Sequence, residues 1–277
     1  MTPESDRRAN EALAEVTPIP MTPRRMLRML LILSAFALFW GVAFYQAWIG
    51  FPIKALLLRD EVQRIRACQR TLASCFRFFH GYMRVLGLFD AQLSFDLPTH
   101  DGPLMIIANH TTLVDVTVIM AAQPHTCCIV NPLYFHNPLI GRAARLAGFI
   151  APSREQPAPE IAQKRLAQGF NVLVFPEGTR SPPGGLLPFN RGAFEIAKRA
   201  KVPIAPLVLR CTPSALTKGQ PISQLPAVAA KLTVEPQPLI PTVDYTGTSR
   251  DLCEAVHLAY HAVLFGNELF TLSRNRD

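Results

Sequence analysis

The strongest chemical signal in the chain is the run Asn109-His110-Thr111-Thr112-Leu113-Val114-Asp115. A histidine and an aspartate at this spacing can meet across a turn, as a general base and the group that orients it. Imidazole is the usual base because its pKa lies near working pH. A carboxylate on its far ring nitrogen fixes the tautomer and stabilises the imidazolium as it forms. Acyl transfer to a hydroxyl needs a base of this kind and no covalent nucleophile, because the hydroxyl itself attacks. Alone, the spacing is weak: a capping aspartate beside a loop histidine looks the same.

A second block, Phe175-Pro176-Glu177-Gly178-Thr179-Arg180-Ser181, carries complementary groups. Gly178 permits a tight turn. The Glu177 carboxylate could accept from substrate hydroxyls, and the planar Arg180 fork suits phosphate oxygens. Amides near the His110 turn or the Glu177 loop are candidates for stabilising an oxyanion. Arg142 and Arg145 lie three apart on an expected helix, facing donor phosphate, anionic lipid or solvent. His257 and His261 are four apart but lack the glutamate of a zinc-protease helix, so a packing role is expected. A GxSxG elbow, a P-loop and a dinucleotide glycine fingerprint are all absent from the sequence.

These residues need a scaffold. From residue 91 onward, short apolar runs alternate with helical stretches. Strands are expected at 92–96, 104–108, 126–130, 171–175, 204–210 and 231–235. Helices are expected at 114–122, 139–147, 158–167, 192–200 and 249–264. The alternation implies a single layered α/β domain, with a mixed central sheet flanked by helices. Both blocks then follow the carboxyl ends of strands, where open α/β sheets place ligands.

Residues 89–277 are assigned to this domain, 24–88 to membrane-anchoring and amphipathic helices, and 1–23 to a disordered, proline-bearing tail. The apolar run at 29–49 is long enough to cross a bilayer core, and Pro52 is expected to end it. Arginines precede the run, and Lys54, Arg59, Arg64 and Arg66 begin a second basic stretch after it. Two basic flanks favour a re-entrant hairpin or an interfacial helix, with a single span as the alternative. They also place the α/β domain on the cytoplasmic side of an inner, cytoplasmic membrane. Residues 55–88 read as an amphipathic helix lying on anionic lipid or packed on the domain. A net charge of +8 suits anionic partners, and without a nucleic-acid module these are membrane lipids and phosphates rather than nucleic acid. The six cysteines form no CxxC pair and read as free thiols in a reducing compartment.

Taken together, the blocks resemble the glycerolipid acyltransferase family, which includes 1-acylglycerol-3-phosphate acyltransferases. His110 and Asp115 match its His-x-x-x-x-Asp signature, and residues 175–181 match its third block. Gly148-Phe149-Ile150 with Arg154 is similar to the second block, and Val202-Pro203-Ile204-Ala205-Pro206 to the fourth. The resemblance covers roughly residues 85–235. It implies His110 and Asp115 as catalytic residues, and Arg154, Glu177, Gly178, Thr179 and Arg180 as substrate-binding residues. It also implies an acyl-CoA or acyl carrier protein donor as co-substrate, a lysophospholipid acceptor in the membrane, and neither metal nor cofactor. Asn131 and the pair Asn190-Arg191 stand where many relatives carry lysines, which points towards an acceptor other than lysophosphatidate.

Overall fold

The computed structural model describes residues 22–152 and 157–266; Arg154 and residues 1–21 of the expected tail lie outside it. Helix α1 (Pro23–Tyr45) starts where a helix should. Thr22 caps it by accepting from the Arg25 amide, and Pro23 occupies the first turn, where no intrahelical N–H is missed. The helix continues through a π-helical turn, Gln46–Gly50, into α2 (Phe51–Leu57). Pro52 does not stop it. The proline follows the π-helical turn, where the Phe51 amide donates to the Gln46 carbonyl five residues back, and the helix runs on to Leu57.

Helix α3 (Glu61–Val85) is capped by Asp60 and buries Ile65, Cys68, Gln69, Ala73, Phe79, His80 and Met83. Its contacts settle the two readings of residues 55–88 in favour of packing on the domain. The Gln69 amide donates to the Thr126 and Ala147 carbonyls, and Arg77 donates to the Ala121 carbonyl at 2.7 Å. The boundary expected at residue 88 therefore runs through contacts rather than along a linker.

Six strands follow: β1 (Phe89–Ala91), β2 (Met105–Ala108), β3 (Thr126–Cys128), β4 (Asn171–Val174), β5 (Ile204–Thr212) and β6 (Ala230–Pro236). They pair in the order β1-β6-β5-β2-β4-β3, parallel everywhere except β5 against β6. The sheet is mixed, as expected. The intervening helices are α4 (Asp115–Ala122), α5 (Leu133–His136), α6 (Gly141–Leu146), α7 (Ala158–Ala167), α8 (Gly192–Ala200) and α9 (Ser249–Phe265). Strand β2 is buried at every position because apolar clusters cover both faces of the sheet.

The first strand departs from its expected place. It pairs with β6 at 89–91, whereas 92–96 runs beyond the ladder. The apolar alternation there is real, since Phe95 is buried and Leu93 and Leu97 pack beside it. Alternation reports which side chains face a core, not whether a partner strand lies alongside. The short helix α5 was not expected.

One consequence of the strand order matters most. Ile107 near the end of β2 pairs with Val174 at the end of β4, so the His110 and Glu177 loops leave the sheet side by side.

Candidate active site

Beyond β2 the chain is fixed by Asn109, whose buried side chain accepts from the Leu209 amide at 2.8 Å and donates to the Leu209 carbonyl at 2.9 Å. His110 comes next. Its Nδ1 lies 2.8 Å from Asp115 Oδ2. The fully buried Asp115 also accepts from the Thr111 amide at 2.6 Å, the Thr112 amide at 2.8 Å and the Thr112 hydroxyl at 2.5 Å. It opens α4, where the helix dipole favours a negative charge. A carboxylate only accepts, so Nδ1 carries the proton and Nε2 is left bare. The imidazole stacks on Phe175 at 4.2 Å between centroids and retains 18% side-chain exposure. A base with a fixed tautomer, an oriented ring and an open nitrogen results.

The second loop clamps the first. Gly178 adopts φ +71°, and its amide donates to the Phe175 carbonyl at 3.0 Å, closing the turn. Glu177 is buried. It accepts from the His110 amide at 2.7 Å, the Leu187 amide at 2.9 Å and the Ser181 hydroxyl. The Ser181 amide returns a bond to the His110 carbonyl at 2.8 Å. Sequence reasoning gave this carboxylate to substrate hydroxyls; the structure gives it three protein donors. Burial beside three donors makes it the group that holds the His110 loop in place.

Arg180 is half-buried at the same edge. One of its nitrogens donates to the Leu216 and Thr217 carbonyls at 2.9 and 3.2 Å, which ties the loop to the segment after β5. Thr179 is half-buried beside it and Gly178 is exposed. The amides of the His110 turn cannot serve an oxyanion: those of residues 110–112 face carboxylates, and that of Leu113 donates to the Leu216 carbonyl.

Thr112, Ser181, Asn109 and Phe175 hold the two loops through these contacts, a part the sequence did not assign to them. Thr112-x-x-Asp115 has the spacing of a capping box, a signal that could have found the first of them. The remaining candidates lie elsewhere. Arg142 places its guanidinium over the Trp48 ring at 5.5 Å, and Arg145 donates to the Phe135 carbonyl. His257 and His261 pack against Phe189 and Phe265. All six cysteines are free, and burial pushes the Cys127 and Cys128 thiols up to about 12, which leaves them unreactive.

An apolar crevice opens next to the histidine loop. Val114, Ala215 and Leu216 line it at the site, Phe79, Met83 and Phe89 along its length, and Ile32 and Phe36 of α1 form one wall.

A family model described as Acyltransferase matches residues 92–210. The chain is 32% identical over 184 residues to the 1-acyl-sn-glycerol-3-phosphate acyltransferase alpha of Mus musculus, and the same holds for that of Homo sapiens. It is 32% identical over 179 residues to the 1-acyl-sn-glycerol-3-phosphate acyltransferase of Cocos nucifera. The matched region is 62% of this chain, and it spans 62% of the mouse and human proteins and 57% of the coconut one. The crystal structure of the 1-acyl-sn-glycerophosphate (LPA) acyltransferase PlsC from Thermotoga maritima superposes with a TM-score of 0.67. That match has 19% identity and covers 89% of this chain and 100% of that one, so it establishes the fold.

Proposed function

We propose that this chain, whose residues 92–210 match the Acyltransferase family model, is a member of the glycerolipid acyltransferase family and an O-acyltransferase of lipid biosynthesis. The donor is a fatty acyl thioester, acyl-CoA or acyl carrier protein. The acceptor is a lysophospholipid of the 1-acylglycerol-3-phosphate kind. The observation that carries the reading is the 2.8 Å bond between His110 Nδ1 and the buried Asp115, which leaves Nε2 open.

The steps follow from that geometry. The acceptor hydroxyl gives its proton to Nε2 as its oxygen bonds to the thioester carbonyl carbon. Asp115 holds the imidazolium that forms. Backbone amides of the turn after Glu177 are the candidates for stabilising the oxyanion. When the tetrahedral adduct collapses, the C–S bond breaks, and the thiolate leaves with the proton held by His110. No metal or cofactor enters these steps. The apolar crevice beside Val114 receives an acyl chain, which outside an apolar environment costs about 0.8 kcal/mol per CH₂. Arg154 and the free face of Arg180 supply positive charge for the acceptor headgroup.

Helix α1 supports a monotopic anchor better than a span. Near its start Arg28 donates to the Gly87, Leu88 and Val228 carbonyls, and beyond its end Phe51 packs with Cys68, Ala143 and Ala147 of the domain. A helix joined to one domain near both ends lies along that domain, while Leu27, Leu30, Phe44 and Trp48 face outward for lipid. The cytoplasmic face of an inner membrane fits the basic flanks.

One observation favours an acceptor without a phosphomonoester. Asn131, which stands where many members of the resembled family carry a lysine, accepts from the Leu133 amide at 3.0 Å and offers no cation.

The test is acyl transfer by purified protein from labelled thioester to a panel of lysolipids, compared with His110→Ala. Removing a general base costs about 10²–10⁴-fold, so a folded variant should retain at most about 1% of the rate. A folded His110→Ala protein with undiminished transfer would falsify the mechanism. Thioester loss independent of lysolipid would identify a hydrolase instead.

A further inference from the structure

The segment at 131–142 is explained neither by the catalytic loops nor by the core. It leaves the sheet after β3 and contains two Asn-Pro-Leu repeats, at 131–133 and 137–139. In each, the asparagine side chain accepts from the leucine amide two residues on, at 3.0 Å for Leu133 and 2.8 Å for Leu139. Pro132 and Pro138 have no amide hydrogen to satisfy. The amides of Tyr134, Phe135, Asn137 and Gly141 find carbonyls within the same segment. Six amides of the segment thus bond within it, and several of its apolar side chains are exposed. Leu133 is 75% exposed, Tyr134 48% and Leu139 37%, and α5 buries none of its residues.

This apolar tip is not isolated. The Trp48 indole of the α1–α2 elbow donates to the Pro138 carbonyl at 3.1 Å, and Arg142 covers the Trp48 ring. Ile49, Ile53, Leu56 and Leu57 are exposed on the same elbow. Neither 46–57 nor 131–145 contains an acidic residue, whereas Lys54, Arg142 and Arg145 are basic.

We propose that residues 131–142 form a second membrane contact, docking on an anionic bilayer surface in one plane with the α1–α2 elbow. The inference rests on the reading of α1 as a lipid anchor. A largely self-bonded backbone, exposed leucines and a tyrosine between them suit the boundary between headgroups and acyl chains. Arginines at the edge of the patch suit anionic headgroups. The acceptor would then reach the site from lipid held between the two contacts.

The test is photolabelling of the full-length protein in phosphatidylcholine–phosphatidylglycerol vesicles doped with a diazirine-bearing phosphatidylcholine, with labelled peptides located by mass spectrometry. Peptides covering 131–142 should label about fivefold or more above the peptide carrying Leu258, an exposed leucine on α9 across the sheet, as expected for groups inside and outside the acyl boundary. Joint substitution by Leu133→Asp and Leu139→Asp should bring 131–142 down to that background while 23–57 stays labelled. Strong label on 23–57 with background label on wild-type 131–142 overturns the second contact and keeps the anchor. Background label on both overturns both.

Discussion

The loops at 109–115 and 175–190 and the helical arm at 23–57 are built on opposite terms. In the loops, directional bonds fix the candidate site residues: Asp115 accepts from His110 and from the amides and hydroxyls of Thr111 and Thr112, and Glu177 from His110, Ser181 and Leu187. In the arm, one face of α1 packs Ile32, Ala35 and Phe39 against the domain, and the other face is bare. Hydrogen bonds are angle-dependent and fail sharply, whereas apolar contact is non-directional and degrades in proportion to area. The two regions should therefore respond to substitution in different ways, and that contrast can be attacked directly.

The largest effect is expected at Asp115. Asp115→Asn keeps the volume but can turn an N–H toward Nδ1, which puts the proton on Nε2 and blocks the base. By analogy with carboxylate-to-amide changes in other such pairs, kcat should fall about 10⁴-fold. The matching change in the arm, Leu30→Ala on its bare face, should leave kcat in detergent within about twofold, because scattered exposed apolar groups contribute little. Comparable losses in steady-state transfer for the two variants would erase the contrast.

Glu177→Ala comes next. It leaves the His110 amide, the Leu187 amide and the Ser181 hydroxyl without their acceptor, at about 1–3 kcal/mol for each donor that water cannot reach. Denaturant titration should show a loss of about 4 kcal/mol. Glu177→Gln should keep most of that stability and lower kcat with little change in the acceptor KM. A selective rise in acceptor KM would instead restore the substrate-binding role that the sequence suggested.

These contacts show what local sequence can reveal. The His110–Asp115 bond was legible because the whole device lies within one turn, where residue type and spacing suffice. The protein donors to Glu177 were not legible, because two of them come from residues 110 and 187, which only the strand order brings together. Arg28 was read as membrane-flanking charge, yet it bonds a carbonyl 200 residues away. The alternation of the α/β domain was plain, while the register of β1 depended on β6 at the far end of the chain. The arm was legible as apolar and not as a face packed on the domain, since composition carries no information about its partner.

The seam between the regions offers a pH test. His80 of α3 bonds the Thr117 hydroxyl of α4 at 2.8 Å, and that hydroxyl donates to the Val114 carbonyl, so His80 Nε2 must carry the hydrogen. Burial lowers its pKa from 6.5 to about 4. The unfolded chain therefore binds this proton more readily. Its contribution to stability is complete above about pH 6.5, is lost as pH falls, and levels off below about pH 4. The full swing is about 3 kcal/mol. His80→Gln should flatten this part of the pH–stability curve, and a curve unchanged from wild type would remove His80 from the seam.

The smallest effect is expected at Arg28, where the arm is pinned by hydrogen bonds rather than by apolar contact. Its guanidinium donates to the Val228 carbonyl at 2.8 Å and the Gly87 carbonyl at 3.0 Å, and Arg28 is among the residues lining the apolar crevice. Arg28→Met keeps the aliphatic stem and removes the donors. Because these bonds lie near the surface, where water can replace them, the loss should be about 1 kcal/mol. Its location is more informative than its size. Amide exchange should quicken in the first turns of α1 and stay unchanged in α4, because an arm held by separable contacts opens locally without disturbing the site. Faster exchange at Asp115 and Val116 as well would mean that arm and catalytic turn unfold together, and the distinction between them would not survive.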